Sequence, residues 1–396
     1  MQRSSNTFLS LPTELLTRIF VEAQTPGLAY ACRQLYVLSR HDLLRAHFLY
    51  ATYGPERALG AEVTLRKIRT PDVIRLLMNL GCDLTVDRHY PISYALDIRD
   101  DTLLDDMLQH LQAIGCMDLQ ELSEVANLRD SLGLLEKLIH IYHADPHAEN
   151  ERMLRDACLY DRVEIVSYLT SQYGCDIHVD NDFPLRMASQ AGYTELVRLL
   201  LEKGADVHAY HEKALLNSTY KGYYEITVML LNYSADLSVS HHLPLRQASS
   251  HGYTRIVALL LERGADPSAE NYKALRDACR NGHIDVVDLL LCHQADPNAG
   301  GGLPLACAAE SGNEALVLKL LDHGADPCKG GNGPLKVAVR SKNVQVVKIL
   351  LDAGASLSVD EIMQVTNYRG SDAMRRLLLE HASEHHESDD INLCEE

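Results

Sequence analysis

The chain has 396 residues, 46% of them apolar, which is enough to build a core and excludes a disordered polymer. Its formal charge of −18 excludes an extended nucleic-acid or anionic-membrane surface, since both need clustered Lys and Arg to displace counterions. The ten Cys include no CxxC pair, no apolar run approaches the ~18–20 residues of a membrane span, and MQRSSNTFLSLP lacks a signal-peptide core, so the expected compartment is the cytoplasm, with the nucleus open.

The first predicted helix starts in LSLPTELLTRIF, residues 9–20. Pro12 suits its first position and Glu14 its positive end, and Leu15, Leu16, Ile19, Phe20 and Ala23 form a wide apolar face. Thr25-Pro26-Gly27 breaks it, and two more short helices are expected over 28–40 and 42–54. The ordered set Leu11-Pro12, Glu14-Leu15-Leu16, Ile19-Phe20, Leu28, Cys32-Arg33 and Leu38 resembles the F-box, with Leu35-Tyr36 where that family carries Trp. F-box proteins dock onto the Skp-type adaptor of a cullin–RING ubiquitin ligase, and their C-terminal repeats choose the target. The resemblance therefore implies an F-box-like module over 8–54, with Leu11, Pro12, Leu15, Leu16, Ile19, Phe20 and Leu28 as adaptor-binding residues. A decayed or adaptor-independent relic of that module, and a plain cap on the following repeats, are the other readings of the same helices.

From residue 55 the chain repeats itself. TPDVIRLLMNLGCDL (70–84) and LEKLIHIYHADPHA (135–148) are divergent units within 55–150, and regular ones run over 151–360. Gly192, Gly222, Gly252, Gly282 and Gly312 stand 30 residues apart, as do Ala205, Ala235, Ala265, Ala295, Ala325 and Ala355. In the unit 273–301, a first helix is expected over Ala274 to Asn281, closed by Gly282 at positive φ. A second, Ile284 to His293, spaces Ile284, Val287 and Leu291 into an apolar stripe. No unit can bury such a stripe alone, so the units must stack.

The pattern GHxxxVxxLLxxxADxxA and its variants resemble the ankyrin repeat, in about ten units. The resemblance implies an all-α solenoid that binds a protein target on its concave face, acting as a non-catalytic interaction protein. Joined to the F-box-like module, it implies a substrate-recognition subunit of a ubiquitin ligase; an ankyrin scaffold or inhibitor without a ligase link is the alternative. These units have 30 residues where the family has about 33, and the "DGxTPLH" start is reduced to Phe183-Pro184-Leu185-Arg186 or Lys213-Ala214-Leu215-Leu216, so shortened hairpins are expected. A two-repeat beat overlies the first: 183–215 matches 243–275 at 20 of 33 positions, the mark of a duplicated block. A capping unit is expected over 361–383, and a disordered acidic tail over 384–396.

No catalytic, cofactor or metal set rises above its structural reading. His381 and His385 spell HxxEH where a last helix frays into the tail, and His140, His143 and His147 read as helix-end and turn residues. The runs AGGGLP (299–304) and KGGNGP (329–334) match no phosphate-binding loop and fall where hairpin tips are expected. Cys82, Cys158, Cys175 and Cys279 are in register with small positions and read as buried hydrophobes. Target-binding residues are expected at hairpin tips and on the first helices: Tyr210, Asn217, Tyr220, Gln247, Tyr272, Asp277 and Arg280.

Overall fold

The structure, a computed structural model, describes residues 42–60, 70–366 and 372–392. The adaptor-binding residues expected from Leu11 to Leu28 lie outside them. Among the described residues all regular structure is helical, with no strand, and no helix is long and apolar enough to cross a membrane. The chain divides into two compact units, Met1–Asp176 and Ile177–Glu396.

In the first unit, Asp42–Tyr53 packs against Pro71–Asn79. Thr70 joins them: its hydroxyl caps the second helix by accepting from the Val73 N–H and donates to Asp42 Oδ1 at 3.2 Å. Helices then follow in antiparallel pairs, among them Asp101–Ile114, started by the Asp100 side chain and closed by Gly115 at φ 68°. Ile74, Leu77, Leu103, Met107, Leu122 and Leu138 lie in its core, at most 1% exposed.

The second unit repeats one motif with little change. First helices such as Ala209–Lys221, Val239–His251 and Ala269–Asn281 alternate with second helices such as Tyr224–Asn232, Thr254–Glu262 and Ile284–Cys292. Leu185, Leu215, Leu245, Leu275, Leu305 and Leu335 occupy one register position and are all fully buried. Each contributes about 1.5–3 kcal/mol, but only because the neighbouring unit covers it. Gly222 ends its helix at φ 82°, and the Tyr253 ring of the next unit lies against its Cα side, so close that a Cβ would sit 2.7 Å from the ring. Tyr223 covers Gly192 and His283 covers Gly252 in the same way.

The expected shortened hairpins are absent. In their place most repeats turn through three successive residues in the left-handed helical conformation, as at Tyr210, His211 and Glu212 (φ 52°, 58° and 59°), while the helices after Asp118 and Ser358 start at ordinary side-chain caps. The same triplet recurs at 180–182, 240–242, 270–272, 300–302 and 330–332, and in the first unit at 87–89 and 149–151. The 30-residue unit is too short to send two strands out and back, and a reversed turn redirects the chain within three residues. Its third N–H closes onto the carbonyl four residues earlier, as from Tyr272 to Ser268 at 3.0 Å. Left-handed geometry costs a residue with a Cβ about 1–2 kcal/mol, so each turn needs compensating contacts.

Candidate interaction surface

Those contacts come from the helix that follows. Arg186 lays its guanidinium on the turn, donating from Nε to the Asn181 carbonyl at 2.9 Å and from Nη2 to the Asp180 carbonyl at 2.7 Å. Arg246 reaches the Ser240 carbonyl and Arg276 the Glu270 carbonyl in the same manner. Arg155 does so at Glu149 in the first unit. A second device bridges the turn from side to side: His178 Nδ1 lies 3.0 Å from Asp182 Oδ1, and His208 pairs with Glu212. Both carboxylates are buried, and Asp182 Oδ1 also accepts the backbone N–H of Asp206 at 2.8 Å. The Glu212 carboxylate raises the His208 imidazole above its ordinary value, mainly through this hydrogen bond.

The unburied side of the first helices in the second unit is basic, although the chain as a whole is strongly acidic. Arg186, Lys213, Arg246, Lys273, Arg276 and Lys336 lie along it, half-buried. Their stems lie on the array, and their charge is only partly offset, by Glu270 on Arg246, Asp277 on Lys273 and Glu361 on Lys336. Acidic residues open many of the second helices instead, among them Glu195, Glu225 and Glu314.

The seven residues expected to bind a target divide in two. Tyr210, 59% exposed, and Tyr220, 49% exposed, present their rings to solvent. Arg186 lies over the Tyr210 ring, 4.9 Å from its centroid, and His251 meets Tyr220 edge-on at 4.9 Å. Arg280 is exposed and pairs with Asp277 at 3.1 Å. Asn217 and Gln247 serve the stacking of repeats: Asn217 donates to the Arg186 carbonyl at 3.2 Å, and Gln247 accepts from the Thr219 hydroxyl at 3.2 Å. Tyr272 is half-buried as the third residue of a left-handed turn, and neither it nor Tyr210 sits on a hairpin tip. Sequence reasoning missed the guanidinium clasp, whose signal was the Arg closing PLR or ALR at 30- or 60-residue spacing.

The other candidate clusters fall as follows. Cys82, Cys158, Cys175 and Cys279 are buried. His140 bonds Tyr168 Oη at 3.1 Å, whereas His147 faces Glu151, so the three clustered histidines do not converge. The glycines of 300–302 and 330–331 form left-handed turns. His381 lies on the helix Asp372–Asn392, and the His385 side chain is outside the described set.

A stack of two-helix units with an exposed first-helix row defines a helical repeat protein of the protein-binding kind. The family of ankyrin repeats in three copies matches residues 122–211 and 275–361, and the single ankyrin repeat matches 240–272, together just over half of the chain. The chain belongs to the ankyrin-repeat family, whose repeats bind protein partners. Among similar solved structures is the human ASB11 ankyrin repeat domain, 24% identical, with a TM-score of 0.46, covering 52% of this chain and 99% of that one. No curated protein matches the chain.

Proposed function

We propose that this chain is the target-recognition subunit of a Skp–cullin–F-box ubiquitin ligase in the cytoplasm, with the first-helix row of Ile177–Glu396 as receptor for an acidic face of the target protein. The observation that carries the receptor half is the row of Arg and Lys, edged by exposed Tyr210 and Tyr220, on a chain of net charge −18. A basic row steers an acidic partner and sets its register, and exposed aromatic rings add the contact area of binding hot spots. The ligase half rests on the F-box-like set from Leu11 to Leu38.

The test is co-purification of the full chain with a Skp-type adaptor and with captured acidic proteins. Wild type is expected to hold both, and a Leu15→Ala/Ile19→Ala double variant to lose the adaptor while keeping the target. Lys213→Glu/Lys273→Glu is expected to lose the target and keep the adaptor. A wild-type chain that holds a target but no adaptor would leave the second reading, a scaffold or inhibitor without ligase. The Leu35-Tyr36 pair in place of the F-box Trp favours that reading.

A further inference from the structure

One left-handed turn in the first unit differs chemically from all the others. At 149–151 the turn is bridged, like its relatives, by a histidine and an acid four residues apart: His147 Nδ1 lies 2.8 Å from Glu151 Oε1. That pair alone is part of the turn, since it recurs at His178 with Asp182 and at His208 with Glu212. The difference lies across from it. Where the later repeats carry Ala205 and Ala235, this one carries Cys175, and its sulfur, the His147 nitrogen and a Glu151 oxygen all lie within 4.8 Å of one another. Glu151 Oε2 is buried with no nitrogen or oxygen partner, as Glu212 Oε2 is in the later turn, but only at Glu151 does a thiol, that of Cys175, lie against the carboxylate.

The approach to the cysteine is also distinct. The helix Val163–Tyr168 runs into a π turn, Leu169–Tyr173, which takes up one extra residue and ends at Gly174 just before Cys175. Such turns gather at functional sites.

We propose that His147, Glu151 and Cys175 form a binding site for a divalent transition-metal ion of the zinc class, with the fourth position open to solvent beside exposed His147. The mixed nitrogen, oxygen and sulfur set fits zinc or cobalt and does not fit calcium or magnesium, which take oxygen ligands. Ligand atoms around a tetrahedral zinc stand roughly 3.2–3.8 Å apart. The nitrogen–oxygen separation is 2.8 Å and no pair exceeds 4.8 Å, so small side-chain rotations seat the ion. The ion would satisfy Glu151 Oε2. Burial first, and then the neighbouring Glu151 carboxylate, push the Cys175 thiol up to about 12, so the ion-free site holds S–H. Binding forms the metal–sulfur bond as that proton leaves to water.

The test is titration of the chelator-treated full chain with Co²⁺, read by the thiolate-to-cobalt charge-transfer absorption. Wild type is expected to take up one equivalent with this band, which Zn²⁺ then abolishes. Cys175→Ala is expected to lose the band, and His147→Ala or Glu151→Gln to weaken binding by about tenfold or more. Cys175→Ala installs the residue that later repeats carry at this position, so its helical content and thermal transition should match the ion-free wild type. Ala235→Cys, opposite His208 and Glu212, is expected to add a second equivalent. No band in wild type, or a band of undiminished strength in Cys175→Ala, would overturn the proposal.

Discussion

At 270–272 the left-handed turn is built from Glu270, Asn271 and Tyr272; at 300–302 it is built from three glycines, with nearly the same backbone. The first sequence resists the conformation and has Arg276 to hold it. The second adopts it freely, and Ala306 stands where the arginine would be. One backbone solution is thus reached with no side-chain strain, by clasping strained residues from outside, or, at Tyr210-His211-Glu212 where Leu216 stands in the arginine's place, with the His208–Glu212 pair across the turn. Only the clasped kind places a guanidinium on the exposed row, so the choice of turn chemistry also sets the charge of the binding surface.

Substitutions at the two kinds of turn should break this contrast in opposite directions. The largest effect is expected at Gly330, where a Cβ would come within 2.7 Å of the Gly301 carbonyl oxygen. Gly330→Ala should destabilise the array by about 2–4 kcal/mol, left-handed cost plus overpacking, read from the urea midpoint. Arg246→Ala removes the bond to the Ser240 carbonyl and the ion pair with Glu270, and should cost about 1–2 kcal/mol in the same assay. An Ala306→Arg variant, by contrast, should gain almost nothing, because its glycine turn has no strain to relieve. His241→Gly, at an exposed residue with φ 58°, should stabilise by about 0.5–1 kcal/mol.

A further, small effect is one of pH. The folded His208 value lies above the unfolded one, chiefly through the Glu212 hydrogen bond, with Asp206 and Asp236 adding attraction. Its stabilisation is therefore fully present below the unfolded value of about 6.5 and is lost as pH rises through the folded value. The melting-temperature gap between wild type and His208→Ala should be widest near the acid end of that window and narrow towards neutral and alkaline pH. A gap that widens with pH would show that the pair does not act through imidazolium.

The helices and their pairing were legible because period, apolar stripe and closing glycine all repeat without interruption from Gly192 to Gly312. The turn was not. Its length was visible as three missing residues, but handedness is a property of φ, and Tyr-His-Glu or Ser-His-His carries no glycine to announce it. The runs 300–302 and 330–332 did carry that signal, yet glycine serves hairpin tips equally well. Tyr210, Tyr220 and Arg280 were placed on the open side by register alone. Asn217 and Gln247, which share a register position with Asp277, lie on the first helices too but are drawn into neighbouring repeats, because a polar side chain reaches a backbone carbonyl or hydroxyl that periodicity does not reveal.

The covering of Gly192 by Tyr223, of Gly222 by Tyr253 and of Gly252 by His283 has a consequence for how such a protein lengthens. Lid and socket are both written into these 30-residue copies, and each lid closes the socket of the copy before it. A tandem duplication therefore arises with its new junction already complementary, needing no second mutation to fit. The two-repeat block shared by 183–215 and 243–275 is the kind of increment this interlock makes harmless, leaving the exposed row free to diverge.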